Sequence, residues 1–517
     1  MHRPQNRSLG MILVAGSLPN AMVSRAMWTR LASRRSRWCG ATVLVAVAIA
    51  PVCACNVLAG IDPPVDNPAS DAGSNGRGGA PDAIATTSGA AGGGQGGGAG
   101  ATPEGGAGLG VITRVSVSTE GTQADDNSDG VSVSGDGKLV AFGSAAKNLV
   151  FSDFNAESDI FLHNRTSGET SRVSLGSDNA EPNGPCADPL ITTDGRFVFF
   201  TSMATNLVSS ANMGTKQVFS RWLATSITDH RSRLVNDWAF SPAVNSDGSV
   251  VAYETSARVE FADTNDAADV YAAYGGRNQV ARISMGTDPA QPNGPSHQPS
   301  VSADGNLFAF SSTASNLLQG DTNGVSDVFV RGLLDKNIRR VSVSSSGEQG
   351  NKASGPAVIS GDGRRVAFCS DASNLVSNDT NNVTDVFVHD LSNHQTVRVS
   401  VSSTGAEGNA LSCDPSLSGD GRLVAFSSHA TNLVPDDIAF PGDTNYEDVF
   451  VHDLETHKTV RVSVAPMGTR AKGDSRQPAI SANGRVVVFL SDAPNLVVGD
   501  TNGWTDAFAF EFTSSPP

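Results

Sequence analysis

Pro299-Ser-Val-Ser-Ala-Asp-Gly-Asn-Leu-Phe-Ala-Phe-Ser-Ser312 is the stretch from which the fold can be read. A short run leads into an Asp-Gly pair, and a second run of apolar and small residues leads away. Asp-Gly supplies the positive-φ positions that a tight hairpin needs. Two more strand-like runs follow, Asp327-Val-Phe-Val330 and Arg340-Val-Ser-Val343, with Asn316-Leu-Leu318 and Asp321-Thr-Asn323 in the connection. The unit therefore reads as four antiparallel strands.

Working outward, the turn recurs at Asp136, Asp194, Asp247, Asp304, Asp362 and Asp420, and as Asn-Gly at Asn483, at intervals of 58, 53, 57, 58, 58 and 63 residues. Seven four-stranded units of this size are the pattern of a β-propeller. The ends of the array argue for a closed ring. The last unit runs through Pro478–Ser481, Val486–Leu490 and Asp506–Phe512 and has no Arg-Val-Ser-Val strand. That strand stands instead at the head of the array, as Thr113-Arg-Val-Ser-Val117. The expectation is that strand 111–118 completes the seventh blade, leaving no unpaired edge between first and last. The expected fold is all-β: one seven-bladed propeller over 111–517, closed by an N-terminal strand and preceded by a disordered Gly-rich tether.

Ser360–Phe368 and Ser418–Phe426 both read Ser-x-Asp-Gly-Arg-x-Val-Ala-Phe, and Asp385-Val-Phe-Val-His-Asp-Leu391 follows the first. On these residues the repeats resemble the TolB-type, WD40-like (PD40) propeller family over about 400 residues. The resemblance implies a propeller and implies little about function. Two departures stand out. Val, Leu or Ile replaces the aromatic residue that often precedes the turn motif, and a Gly-rich segment stands where TolB carries an α/β domain.

The N-terminus reads as an address. Arg30, Arg34, Arg35 and Arg37 precede the apolar run 41–50, which is too short to span a bilayer and suits a signal-peptide core. Val52-Cys53-Ala54-Cys55 resembles a bacterial lipobox, which implies lipidation of Cys55; a plain cleaved signal is the alternative. Residues 1–55 are thus expected to be an export segment whose true start is Met27. Residues 56–110 are low in complexity and rich in Gly, and cannot bury enough apolar area to offset chain entropy. As a flexible coil they would reach roughly 40 Å. The expected location is the bacterial cell envelope, exported and lipid-anchored.

The net charge is -16, and the first 55 residues carry seven Arg and no Asp, Glu or Lys. The remainder holds 29 basic and 52 acidic residues, a balance that repels phosphate backbones and argues against a nucleic-acid partner.

The candidate metal ligands lie between second and third strands: Asp263/Asn265/Asp269, Asp321/Asn323/Asp327, Asp379/Asn381/Asp385 and Asp500/Asn502/Asp506, with Asp153/Asn155/Asp159 in the first blade. Three short oxygen-bearing side chains on one turn suit Ca²⁺, which takes six to eight oxygens. The alternative, which the sequence favours, is that they hold the turn by bonding backbone. The sixth blade tightens the spacing (Asp443/Asn445/Asp448), and the second loses it, with Ala211, Asn212 and Gln217 in its place. No cofactor is expected beyond that possible calcium.

His389-Asp390 and His452-Asp453 look like catalytic pairs, but they repeat at one blade position, with His163 in the first blade, so a structural role is expected. Gly-x-Ser-x-Gly and His-Glu-x-x-His are missing. Of Cys186, Cys369 and Cys413, a Cys369–Cys413 disulfide is conceivable, and unpaired buried thiols are expected. The resulting expectation is a non-enzymatic, membrane-tethered scaffold for a protein, peptide or glycan. The alternatives are an envelope hydrolase or lyase with its site at the channel mouth, and a calcium-stabilised surface protein.

Overall fold

The computed structural model describes residues 109–209, 214–232, 234, 237–260, 263–275, 279–287, 291–435 and 446–517. The export segment, Cys55 and the tether up to residue 108 lie outside the described residues, as do Ala211, Asn212, Asp443 and Asn445. Seven four-stranded antiparallel sheets follow one another along the chain. The fourth blade is typical: Ser296–Val301, Leu307–Ser312, Asp327–Gly332 and Ile338–Arg340. In every blade the first strands pack against those of both neighbours, and the first blade packs against the seventh, so first strands form the innermost ring.

Second strands are buried on both faces because blades stack face to face. Phe308 and Phe310 pack with Val250, Ala252, Val270 and Ala272 of the third blade. Ala309, between them, packs with Val366, Phe368 and Phe387 of the fifth. A bulky residue on one face and a small one on the other let successive blades interlock at crystal-like density. Cross-strand aromatic pairs recur, as in Phe310–Phe329 at 5.9 Å and Phe368–Phe387 at 6.0 Å. The third blade keeps the position with Tyr253 opposite Tyr271.

The ring closes as the array predicts. Gly110–Arg114 pairs antiparallel with Asp506–Phe512, from Gly110 opposite Phe512 to Arg114 opposite Phe508. The observed strand is shorter than 111–118 because Ser116 turns away to donate its hydroxyl to Asp506 at 2.6 Å.

A second closure runs around the Asp-Gly turns. Backbone N–H groups of Gly135, Asp194, Ser246, Ala303, Asp362, Gly419 and Asn483 donate to carbonyls of Thr193, Ser246, Ala303, Gly361, Gly419, Ala482 and Gly135, at 2.9–3.3 Å. Seven turns are thereby linked head to tail in one circle. The residue before each Asp or Asn is Gly, Thr, Ser, Ala, Gly, Gly or Ala. Room is tight at two of them: a Cβ on Gly361 would sit 3.0 Å from the Gly419 carbonyl oxygen, and one on Gly419 would sit 3.0 Å from that of Ala482.

Cys369 and Cys413 form a disulfide, with Cα atoms 5.4 Å apart. This corrects the expectation of unpaired thiols. Cys369 lies near the end of a second strand and Cys413 near the start of the next blade's first strand, and blade stacking brings those ends together. Such a bond belongs to an exported chain. Cys186 stays a free, buried thiol, pushed up to about 12 by burial.

Candidate functional site at the channel mouth

The Asp/Asn triads do assemble, around an arginine. In the third blade Arg282 Nη1 lies 3.4 Å from Asp263 and 3.2 Å from Asp269. In the fourth, Arg340 lies 3.2 Å from Asp321 and 3.3 Å from Asp327. In the fifth, Arg398 lies 3.4 Å from Asp379 and 3.2 Å from Asp385. In the seventh, Arg114 of the closing strand lies 2.9 Å from Asp500 and 3.4 Å from Asp506. Asn265, Asn323, Asn381 and Asn502 each donate to the second Asp and to a backbone carbonyl of the following loop. The Ser of Arg-x-Ser completes the set, as when Ser400 donates to Asp385 at 2.5 Å. The positive charge between these carboxylates is thus a guanidinium, and their lone pairs are engaged in tying each blade's outer strand to its connecting loop. The arginine was read in the sequence only as part of a strand. Its constant distance of 13 residues from the second Asp (269/282, 327/340, 385/398) was a legible signal.

The second blade carries a neutral version. Gln217 replaces the Asp, and its Oε1 accepts from His230 Nε2 at 3.0 Å and Ser232 Oγ at 2.7 Å. The repeated histidines are locked as well. His163, His389 and His452 each pair Nδ1 with a Thr hydroxyl at 2.8–2.9 Å, and burial lowers each to about 4. They stay neutral and inside the blades.

Titratable chemistry collects elsewhere, where the innermost strands begin, at the end of the channel away from the ring of turns. The second and third residues of those strands carry it. Asp129 starts the first blade, Asp188 the second, His297 the fourth, Asp414 the sixth and Arg476 the seventh. Residues on the flanking strands add Lys216, Glu254, His429 and Glu447. Asp188, Gln298, Asp414 and Gln477 all take φ of 50–54° and all precede a proline. Left-handed backbone at a non-glycine residue costs about 1 kcal/mol or more. Its repetition in blade after blade marks a bulge in the inner strand.

The contacts divide the mouth into sectors. On one side Lys216 Nζ lies 2.7 Å from Asp188 Oδ2, and Thr201 donates to the same oxygen at 2.7 Å. Lys216 also lies 5.9 Å from the Phe240 ring, which stacks on exposed Trp238 at 5.9 Å. Glu254 lies 3.4 Å from His297 Nδ1 and accepts from the Gln298 N–H. On another side Ser427 donates to Asp414 at 3.4 Å, and Arg476 Nη1 lies 2.9 Å from Asp492.

Asp129 is open to channel solvent yet walled by protein. That desolvation and the charge of Asp188 push it up to about 6, against the pull of Lys216. Gly143 on the adjacent strand makes room for it, because a Cβ there would collide with the Asp129 carboxylate. Burial raises Asp414 against its bond from Ser427. Burial also raises Glu447, and the charges of Asp414 and Asp474 add to the rise, opposed by Ser427 and His429. Burial thus raises three carboxyls here, Asp129 to about 6.

None of these residues was read from the sequence as part of a site. They fall unevenly, three in the sixth blade and none in the fifth, at the positions where repeats differ. Among the described residues, no cluster of three or more His, Cys, Asp or Glu is arranged to hold a metal ion.

No known family's sequence profile matches the chain, and no curated protein matches it. In fold it is similar to an oligogalacturonate lyase in complex with manganese, at 12% identity and a TM-score of 0.49, covering 78% of this chain and 93% of that one. It is similar to TolB from Acinetobacter baumannii at 15% identity and a TM-score of 0.34, covering 78% and 80%. It is also similar to the β-propeller domain of the Trilobed protease from Pyrococcus furiosus, at 13% identity and a TM-score of 0.44, covering 75% and 94%. The TolB-type propeller read from the repeats is the fold found. The expectation of a non-catalytic scaffold for a protein, peptide or glycan is corrected. It rested on the lack of linear catalytic motifs in a propeller sequence. A propeller assembles a site from several blades and leaves no motif, so that step does not hold.

Proposed function

We propose that the chain is an exported envelope enzyme, a hydrolase or lyase, that transfers protons at the mouth of its central channel. The carrying observation is that Asp129 and Asp414 stand at corresponding ends of the innermost strands of their blades, and that burial raises both, together with Glu447 beside Asp414. In this reading Asp129, near 6, is largely ionised at neutral pH and accepts a proton from the substrate or from water. The Asp414/Glu447 pair, raised by burial, is the proposed donor of a proton to the leaving group. Two carboxyl environments pushed to different pKa values are the usual way one site supplies both acid and base. Lys216 and Arg476 stand where they would offset charge that develops on a bound substrate. The Trp238/Phe240 stack offers a face for a sugar ring or an aromatic side chain, so the substrate is a glycan or peptide.

Lipidation at Cys55 and a Gly-rich tether form the finer part of the proposal and would hold the disk at an envelope surface. Turnover of envelope glycans and peptides by the purified chain tests the reading. Asp129→Asn and Glu447→Gln are each expected to lower kcat by about 100-fold or more. Absence of turnover across the panel, or turnover that survives both substitutions, would refute it.

A further inference from the structure

A second site lies on the flank of the disk, independent of the channel. A groove of about 350 Å³ opens between the second and third blades, lined by Phe197, Trp222 and Tyr274 together with Asp229, Arg231 and Gln279. Its size falls at the lower end of small-molecule sites, roughly 300–1,000 Å³. Trp222 is 40% exposed and stacks on Phe197 at 5.8 Å with planes 25° apart. The indole is thus held flat by one ring while it stays open to solvent.

The repeat shows that this tryptophan is not there for the fold. Trp222 ends a third strand, opposite Phe197. The same register position is Asn164 in the first blade, Gly332 in the fourth, Asp390 in the fifth and Asp453 in the sixth. Asn164, Asp390 and Asp453 each accept backbone N–H groups of the next turn at 2.8–3.4 Å. An indole cannot accept such bonds, so the second blade gives up its turn cap and exposes a large apolar surface. Departure from the cap in neighbouring blades, where the first, fifth and sixth keep it, points to function. Tyr274 extends the departure into the third blade, at the end of that blade's own third strand.

We propose that this groove binds a neutral saccharide, with a sugar ring stacked on Trp222. The aromatic face suits the C–H face of a pyranose. Asp229, Arg231 and Gln279 are planar hydrogen-bonding groups of the kind that take paired hydroxyls. Two of the lining groups, Asp229 and Asp247, are carboxylates against one arginine. With the acidic surface around them, they disfavour an acidic sugar or a nucleic acid.

Tryptophan fluorescence and calorimetry on the full chain test this, using neutral oligosaccharides of glucose, mannose and N-acetylglucosamine, with oligogalacturonate as acidic comparator. At least one neutral oligosaccharide is expected to saturate the signal. Trp222→Ala should weaken it about tenfold or more, equivalent to about 1.4 kcal/mol, whereas Trp504→Ala, at an exposed tryptophan of the seventh blade outside both sites, should leave it unchanged. Trp222→Asn restores the residue of the first blade, so it should fold normally and still lose binding. The proposal is overturned if no neutral oligosaccharide saturates, if Trp222→Asn binds like the parent, or if the acidic comparator binds more tightly. It is also overturned if a peptide copy of residues 56–110 saturates the groove in place of any saccharide.

Discussion

Removal of Arg398 tests the inter-strand arginine network most stringently. Its guanidinium lies 3.4 Å from Asp379, 3.2 Å from Asp385 and 2.9 Å from Glu407. The arginine side chain is 6% exposed, and those of Asp379 and Asp385 are 3% and 0%. Arg398→Met keeps most of the volume and strands two buried carboxylates without a cation. Breaking a buried pair from one side costs about 3–5 kcal/mol. A folded part of about 400 residues, at about 2.1 cal/mol/K each, has an unfolding entropy of about 0.8 kcal/mol/K, so Tm should fall by roughly 4–6 °C.

The pH dependence has a definite sign. Burial raises Asp379 and Asp385 in the folded state even with the arginine present. A raised acid binds more protons folded than unfolded, so stability is lost as pH climbs from the unfolded value through the folded one. Without the arginine both rise further, and the deficit of Arg398→Met should be larger at pH 8 than at pH 5. Asp379→Ala/Asp385→Gln/Arg398→His imports the residues of the second blade, Ala211, Gln217 and His230, and should recover most of the loss. Differential scanning calorimetry beside the surface control Arg364→Met reads all three. A fall under about 1 °C, or a deficit that does not change with pH, would refute the reasoning.

Further expectations concern other parts of the disk. With the cation already supplied by arginine, chelator and millimolar calcium should both leave the Tm of the parent protein unchanged; a calcium-dependent rise would restore the metal reading of Asp263, Asp321, Asp379 and Asp500. Gly419→Val forces a side chain against the Ala482 carbonyl in the ring of turns and should destabilise by about 1–3 kcal/mol, read by urea unfolding. Reduction of Cys369–Cys413, which closes a loop with a sequence separation of 44, should lower stability by about 4 kcal/mol in the chain-entropy account, measured with and without reductant. Asp129→Asn removes a carboxyl whose folded pKa is raised, so it should stabilise the protein at pH 8 and leave it unchanged at pH 4, in a paired thermal scan.

The fold was legible because two signals were independent of each other. The Asp-Gly turns counted the blades, and the Arg-Val-Ser-Val run missing after Phe512 but present at Thr113 announced the closure. The arginine network was half legible. Asp263, Asp321 and their equivalents were recognised as a unit, but their partner sits beyond a third strand, and only its constant spacing gave it away. The channel mouth was hidden for a physical reason. Asp129 meets Asp188 across a blade interface, and Asp414 meets Glu447 at the start of another strand of its own blade, so neither pairing is encoded by spacing along the chain. Trp222 was hidden in the same way: only the register shows that it stands where other blades place a turn cap. The disulfide depended on reach across a blade interface, which spacing along the chain does not encode.

The central claim is that the channel mouth holds carboxyl groups that exchange protons near neutral pH. Carboxyl-carbon NMR of the intact chain, titrated from pH 3 to 9 with Asp129→Asn to assign the resonance, reads this without any substrate. The account requires Asp129 to titrate near 6, and higher still in Lys216→Met, where the opposing ammonium is gone. A midpoint near the ordinary 3.8, insensitive to Lys216, would contradict it.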